Sequence, residues 1–171
     1  MKKIFATCLV VLASFAAALV AAPVQAADLS NYAENKIVDA LLRGQTLGAP
    51  ATGYWALGTD TCTDAGPGTE VSGGSYARVS VASSLTNWAG TQSAGSTVAS
   101  SGTTGTTSNN VAITFPQSTA AWGNLQSVWL MDAASSGNRW ICINLTTPFN
   151  VSAAGVTVSF PAGSLTFQID N

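Results

Sequence analysis

The sequence predicts a mainly β protein: an antiparallel β-sandwich or jelly-roll-like domain with one α-helix at its N-terminal end. Two observations lead to this fold class. One stretch near the start has the apolar spacing of a helix, whereas the chain after it consists of short runs rich in β-branched and aromatic residues. Gly, Pro, Asn and Ser separate these runs, as in a chain that turns between strands. The length of 171 residues suits one domain.

Residues 1–26 have the three parts of an export signal. Lys2 and Lys3 are followed by a long apolar run and then by small residues ending at Ala26, after which we expect cleavage. The alternative is a retained membrane anchor, since the apolar run approaches the roughly 20 residues that span a bilayer. Pro23 and the abundance of Ala favour cleavage. We therefore expect a secreted or cell-surface protein whose mature chain has no membrane segment.

Residues 29–43 are predicted to form the helix. Ser30 or Asn31 can cap its start, and Gly44 supplies a left-handed stop. A helix with one apolar face must pack against a partner, and two remain open: the protein's own sheet or a neighbouring subunit. The apolar face has spacings of three and four residues and consists of Ala33, Ile37, Ala40 and Leu41.

Seven segments after the helix are predicted strands, and several of them alternate with period two. Residues 133–138 are a predicted hairpin turn between the two longest. Residues 89–110 consist mostly of Gly, Ser and Thr, so we expect a mobile surface loop there; an inserted, glycan-decorated or self-associating segment is the alternative. Residues 27–171 are thus predicted to be a single β-rich domain. The predicted strands are 52–58, 76–82, 111–115, 126–132, 139–146, 156–160 and 164–170.

Charge and residue content exclude several classes of function. After the leader, four basic and eight acidic side chains give a net charge of −4. Nucleic acids and anionic membranes attract clustered Lys and Arg, so we exclude both as partners. The chain has no His, which removes the usual catalytic triads and most zinc sites, and it has no phosphate-binding loop or nucleophile elbow. We predict a non-enzymatic protein without cofactor or metal.

Two weaker hypotheses concern carboxylates. Asp60, Asp64 and Glu70 lie in one Gly- and Pro-rich loop, and Ca²⁺ prefers such oxygen ligands. Their spacing matches no calcium loop, so an ordinary solvated loop is the favoured interpretation. Asp132 and Glu70 are the pair that could be nominated for a glycosidase, but nothing in the sequence indicates how far apart they lie.

Cys62 and Cys142 are the only cysteines after the leader. In an oxidising compartment such a pair favours a disulfide. The alternative is two free thiols, with Cys142 acting as a small buried apolar side chain.

Five tryptophans could contribute to an aromatic binding surface. Trp55, Trp129 and Trp140 lie in predicted strands, where the core or a subunit interface is the expected environment. Trp88 and Trp122 lie outside the strands. They are therefore the candidate exposed contact residues, with a surface glycan as a candidate partner.

Several segments occur in an order that resembles a known family. LSNYAENKIVDALLRGQ opens the mature chain and FPAGSLTFQID closes it, with Gly-Gly-x-Tyr-Ala-Arg at 73–78 and Thr-Ala-x-Trp-Gly at 119–123 between them. Over about residues 29–170 this pattern resembles small tailed-phage and prophage proteins described as phage tail-fibre proteins. The resemblance implies a structural virion component with no catalytic residues.

The leader and the predicted disulfide depart from this pattern, because a virion part assembled in the cytoplasm needs neither. Our hypothesis is an exported version of the fibre-type protein, with a virion as the alternative location. We expect it to be a homo-oligomer or a filament, a surface or appendage subunit joined through its helix or an exposed sheet edge. The alternative function is a secreted glycan-binding β-sandwich module that uses Trp88 and Trp122.

Overall fold

The computed structural model describes residues 28–66 and 68–169, and the predicted export signal in residues 1–26 lies outside them. The described chain is mainly β, as predicted, with one helix, one five-stranded antiparallel sheet and two small two-stranded sheets. In chain order the elements are β1 (Asp28–Leu29), α1 (Asn31–Leu42), β2 (Thr52–Gly58), β3 (Val79–Ala82), β4 (Thr106–Ser108), β5 (Ile113–Thr114), β6 (Gly123–Met131), β7 (Arg139–Val151), β8 (Ser159–Phe160) and β9 (Thr166–Gln168).

The large sheet has the strand order β1-β7-β6-β2-β3. Its two longest strands, β6 and β7, form the predicted hairpin. The turn between them uses positive φ angles at Ser136 (53°) and Gly137 (77°). The carboxylate of Asp132 accepts a hydrogen bond from the Asn138 backbone N–H at 2.7 Å, which closes the turn.

Both faces of the large sheet are apolar, which makes the fold layered. Strand pairing places Trp55 and Leu130 on one face and Trp129 and Cys142 on the other. Segments around the two small sheets, β5-β8 and β4-β9, cover the first face and bury the larger core there. A smaller cluster that includes Cys62 covers the second face. This is the sandwich-like arrangement that the alternation of apolar residues predicted.

The strands differ from prediction mainly in length. β2 occupies the predicted residues, β6 starts three residues before its predicted start and ends one residue before its predicted end, and β7 extends beyond its predicted end. The other four predicted strands are shorter in the structure, with two to four paired residues each (β3, β5, β8 and β9). Apolar side chains of these segments still reach the core, although most of their backbone is not paired in a sheet. β1 and β4 were not predicted, because neither has enough apolar alternation to indicate a strand.

The Ser- and Thr-rich tract at residues 89–110 contains β4, which pairs with β9. Earlier in the tract, before β4, Gln92 Nε2 donates to Ser96 Oγ at 2.7 Å and Gln92 Oε1 accepts from the Ser101 N–H at 3.2 Å. These bonds join side chains and backbone inside the tract itself. The mobility expected for this segment stays a prediction.

Asn109, at the end of that tract, is fully buried and organises the turn between β8 and β9. Its Nδ2 donates to the carbonyls of Val111 and Pro161, both at 2.8 Å, and its Oδ1 accepts from the Leu165 N–H at 2.8 Å. A buried amide is stable only when its donors and acceptors are satisfied, and this one meets backbone groups that have no sheet partner.

α1 begins with the predicted cap, since Ser30 Oγ accepts from the Ala33 N–H at 3.2 Å. The same hydroxyl donates to the Arg139 carbonyl, which fixes the start of the helix on β7. Gly44, with a φ of 68°, follows its end. Ala33 is the one buried side chain of the helix. Within the part of the chain that the structure describes, no helix has the length and apolar character needed to cross a membrane.

Candidate functional site

The two most specific sequence motifs, residues 73–78 and 119–123, contact each other directly. The carbonyl of Gly74 accepts hydrogen bonds from the Thr119 N–H at 2.9 Å and from Trp122 Nε1 at 3.0 Å. Gly74 has a φ of 55°, and a Cβ there would lie 2.8 Å from Trp122 Nε1. Glycine is required here both by its conformation and by this close approach. The motifs therefore join the segment before β3 to the segment before β6.

Trp122 lies inside this junction, so the prediction that it is an exposed contact residue is wrong. Its side chain is only 5% exposed. Its ring packs edge-on against Tyr76, with 5.6 Å between the ring centroids, and its N–H is bonded to Gly74. Trp122 comes one residue before β6, and the core extends past the N-terminal end of that strand. A position outside a strand therefore did not indicate exposure.

An ion pair between Glu70 and Arg78 lies next to the motif junction. Arg78 Nε donates to Glu70 Oε1 at 2.8 Å and Arg78 Nη2 donates to Glu70 Oε2 at 2.6 Å, a bidentate geometry. The Arg78 side chain is 6% exposed, and hydrogen bonding to Glu70 raises its pKa further. Its Nη1 donates to the carbonyls of Ala133 and Ser136 at 2.6 and 2.8 Å. The guanidinium thus ties the chain before β3 to the β6-β7 turn.

Tyr76 completes this network. Its hydroxyl donates to Glu70 Oε1 at 2.9 Å and accepts from the Leu57 N–H at 2.9 Å. Burial raises the pKa of the Tyr76 phenol far above its usual range, so the group stays neutral and keeps its donor. Both oxygens of the Glu70 carboxylate therefore accept hydrogen bonds from side chains of the protein itself.

The other carboxylates singled out from the sequence also bond to nearby backbone. Asp60 Oδ1 accepts from the Thr69 N–H at 2.8 Å, and Asp64 Oδ1 accepts from the Ala65 N–H at 2.7 Å. Burial alone would raise the pKa of Asp132, but hydrogen bonds from Asn138 outweigh it and hold this pKa below its usual value. Among the described residues, no three His, Cys, Asp or Glu side chains come together as metal ligands.

Cys62 and Cys142 form a disulfide, as predicted, with 6.0 Å between their Cα atoms. Both are buried, at 3% and 1% exposure. Asn144 supports the same contact: its Oδ1 accepts from the Cys62 N–H at 2.9 Å, and its Nδ2 donates to the Cys62 carbonyl at 3.0 Å. Residues 59–66 are therefore fixed to β7 by one covalent bond and a pair of hydrogen bonds.

The clamped loop also supports the start of α1. The Asn31 N–H donates to the Asp64 carbonyl at 3.2 Å. Arg139 on β7 donates to the carbonyls of Thr63 and Gly66 in the same loop. The disulfide, β7 and the first turn of the helix thus form one connected unit on the second face of the sheet.

Beyond that first turn, α1 presents apolar side chains to solvent. Val38 is 50% exposed, Leu41 76% and Leu42 81%. The sequence predicted one apolar face of Ala33, Ile37, Ala40 and Leu41. The body buries Ala33 and partly covers Ile37 and Ala40, but it leaves Leu41 exposed. The sequence contains a signal for this exposure. Val38 and Leu42 are also apolar, so apolar residues extend around more of the helix than one packing surface can cover. We name Val38, Leu41 and Leu42 the α1 patch.

Trp88, the other candidate contact residue, is half-buried and lines an apolar cleft. Its ring lies 5.2 Å from that of Trp55, tilted by 32°. Leu130, Ile141 and Phe167 contribute to the same open cleft of about 190 Å³. Trp55, Trp129 and Trp140 are buried, as expected.

A second open space, a groove of about 400 Å³, adjoins this cleft through Thr107, which lines both. Several residues that line the groove have hydroxyl or amide side chains from the Ser- and Thr-rich tract, among them Thr91, Gln92 and Thr104. Of the residues that the structure describes, those that line the cleft and the groove are all uncharged.

Comparison with known proteins gives a family that covers most of the chain. Residues 28–168 match the family described as Podophage GP4 fiber I protein gp80. The match contains every described strand and both sequence motifs, and residues 1–27 lie outside it. No curated protein matches the chain. The chain therefore belongs to the Podophage GP4 fiber I protein gp80 family and is a structural protein of the phage-fibre type.

Proposed function

We propose that this protein is an exported, non-enzymatic fibre-type subunit that associates with copies of itself at a surface or in an appendage. The observation that carries the proposal is the uncovered α1 patch on a protein of a fibre family. Single exposed leucines are ordinary, but three large aliphatic side chains on adjacent turns of one helix form a continuous patch, and such patches mark contact sites. Membership of a fibre family favours another copy as the partner.

Two further features support export. Residues 1–26 have the composition of a cleavable leader, and the family match begins after them, at residue 28. The fold is closed by a buried disulfide, a bond that persists in oxidising compartments and is rare in the cytosol. A secreted or cell-surface location follows from this proposal, with the virion as the alternative.

The absence of enzymatic activity is also part of the proposal. The carboxylates that could serve as an acid and base pair, Glu70 and Asp132, have hydrogen-bond partners with structural roles. A general acid or base must instead reach a substrate.

Expression of the full chain in a bacterium with a periplasm tests export. We expect the exported fraction to begin at Ala27 and its intact mass to be lower by two hydrogens than after reduction, since Cys62 and Cys142 are bonded. A full-length cytosolic product carrying free thiols would overturn export.

Light scattering and sedimentation of the mature protein test self-association. We expect a concentration-dependent increase in mass that Leu41→Glu and Leu42→Glu reduce. Leu85→Glu is the matched control, because Leu85 is 54% exposed but lies outside the α1 patch. A monomer at every concentration and salt would contradict self-association.

Glycan binding is a second candidate function, favoured by the cleft that Trp88 lines beside a neutral hydroxyl- and amide-lined groove. Aromatic faces and uncharged polar groups together suit sugar rings. On a glycan array we expect saturable binding that Trp88→Ala abolishes and Leu47→Ala, a surface control, retains. No binding to any glycan, or equal binding by both variants, would remove this candidate.

A further inference from the structure

The floor of the cleft beside Trp88 is part of the large sheet. Trp55, Leu130 and Ile141 are cross-strand neighbours on β2, β6 and β7, so their side chains form one row on the same face. Gly53 also lines the cleft, and a Cβ there would collide with Leu130 Cδ1. Strand pairing therefore fixes the floor.

Backbone pairing also positions the walls of the cleft. Trp88 forms an isolated antiparallel bridge with Asn109. Phe167 on β9 is the paired neighbour of Thr107 on β4, and both residues line the cleft. Thr107 lines the adjoining groove as well. A single ligand can therefore contact both spaces.

The two hydroxyl groups that line the cleft already donate to the backbone. Ser83 Oγ donates to the Pro50 carbonyl at 2.8 Å, and Thr107 Oγ1 donates to the Ala89 carbonyl at 2.6 Å. Apart from these hydroxyls and the indole nitrogens, the described residues that line the cleft have apolar side chains or are glycine. A group that enters the cleft therefore meets mostly aliphatic and aromatic surface.

The indole N–H of Trp55 differs from these hydroxyls, because it has no hydrogen-bond acceptor among the residues that the structure describes. The Trp55 side chain is only 2% exposed. Buried polar groups nearly always have a partner, and an unpaired donor in a cleft is a place where a ligand can supply one. The Trp88 ring packs on Trp55 but is only half-buried, so a ligand that turns this ring aside reaches the nitrogen.

The size and charge of the site restrict its ligand. The cleft, at about 190 Å³, is smaller than the roughly 300–1,000 Å³ of most ligand pockets, and the groove adds about 400 Å³. An ionic group would lose hydration there without gaining a counter-charge from the uncharged lining residues. The site therefore favours a neutral ligand that joins a small apolar group and an acceptor oxygen to a hydroxyl-rich remainder. An acetamido sugar has this composition.

We propose that the cleft binds the acetamido group of a neutral N-acetylated sugar. The methyl group packs against Trp88 and Leu130, the carbonyl oxygen accepts from Trp55 Nε1, and the sugar hydroxyls lie along the groove. This proposal rests on glycan binding as a candidate function, and it names the class of sugar and the group that is recognised. A sugar without the acetamido group leaves the Trp55 N–H unpaired and binds more weakly.

The test compares two trisaccharides on the mature, oxidised protein by calorimetry and tryptophan fluorescence. Triacetylchitotriose and cellotriose share a β-1,4-linked backbone and differ in the acetamido group. We expect triacetylchitotriose to bind about ten-fold more tightly or better, the change that one buried hydrogen bond supports.

Three variants assign the contacts. Trp55→Phe keeps an aromatic ring without the N–H and should lose the preference between the two trisaccharides, whereas Trp88→Ala should lose binding of both. Trp140→Phe is the matched control, because Trp140 is buried on the second face of the sheet against Tyr32 and should leave both affinities unchanged. Circular dichroism establishes that each variant is folded.

Equal affinity of the wild-type protein for the two trisaccharides overturns the acetamido site even if Trp55→Phe does not fold. A preference that Trp55→Phe retains overturns the role of its N–H. In either case, binding of other glycans leaves the candidate function standing, and binding of no glycan on an array removes both. If Trp88→Ala weakens self-association and neither trisaccharide binds, the cleft is a contact between copies and the proposal is wrong.

Discussion

Asn144 holds both backbone polar groups of Cys62, accepting from its N–H at 2.9 Å and donating to its carbonyl at 3.0 Å. This pair lies beside the disulfide to Cys142, so the loop is fixed by two independent means. The covalent bond restricts the unfolded chain, whereas the amide holds the loop in the folded one. The two contributions can be separated by substitution.

Replacing both cysteines by alanine should lower the free energy of unfolding by about 4 kcal/mol, the loop-entropy value for a bridge spanning 80 residues. The native fold should persist, because Asn144 still holds the loop. Urea denaturation of the mature protein measures the change. Asn144→Ala, with the disulfide intact, is the comparison and should cost about 1–3 kcal/mol through unpaired backbone groups. Equal stability with and without the cysteines would contradict a role for the bond in stability.

Asn109→Ala should destabilise the protein by about 1–3 kcal/mol, because it removes the side-chain partner of the Leu165 N–H and of the Val111 carbonyl. Asn109→Asp should be no better, since a carboxylate oxygen would face the carbonyls of Val111 and Pro161. Chemical denaturation gives the free energies, and hydrogen exchange of the Leu165 amide reports the local loss. A cost below about 1 kcal/mol for Asn109→Ala would refute this role, since a lost buried bond costs at least that much.

Gly74→Ala should cost more than Gly73→Ala, although both glycines have positive φ, 55° and 74°. At Gly73 a Cβ meets open space, so only the backbone strain of about 1–2 kcal/mol applies. At Gly74 the Cβ also collides with Trp122 Nε1. Thermal unfolding of the two variants measures the difference. Equal effects would show that the motif junction tolerates displacement of the indole.

The free energy of unfolding should fall as pH rises above about 10, the ordinary pKa of tyrosine. Burial raises the Tyr76 pKa in the folded protein, so the unfolded chain loses this proton first and alkaline pH favours unfolding. The stabilising contribution is complete below the unfolded pKa and is lost as pH approaches the folded one. Denaturation series at pH 8 to 11 measure the slope.

Tyr76→Phe should reduce that alkaline slope, while Tyr54→Phe, a substitution outside the Glu70 network, should leave it in place. Tyr76→Phe also removes the bonds to Glu70 and Leu57, so its stability at pH 8 should already be lower. An unchanged slope in Tyr76→Phe would mean that other groups govern alkaline unfolding.

The sequence indicated those parts of the fold that depend on local pattern. β2 was predicted at its observed residues because period-two alternation coincides with a buried strand, and α1 was found from its Ser30 cap and the stop at Gly44. β4 was missed because Thr-Thr-Ser has no apolar signal, and its pairing with β9 depends on contacts far along the chain.

The candidate site was less accessible to prediction for the same reason. The carbonyl of Gly74 and the indole of Trp122 are separated by 48 residues, and no local pattern shows that they meet. Asn109 occurs in a polar tract typical of a surface loop, yet it is buried because the turn after β8 needs its amide. Local composition describes the tract, whereas the burial of one member depends on the assembled fold.

The pairing of β1 with β7 has a consequence for when the domain can take shape. Asp28 and Leu29 find their backbone partners at Cys142 and Ile141, so the first strand has no place to bind until almost the entire polypeptide is present. The start of α1 is fixed to the same late strand through Ser30. A chain that emerges from its N-terminus must therefore reach β7 before β1 can pair and before Ser30 can fix the start of the helix to the sheet.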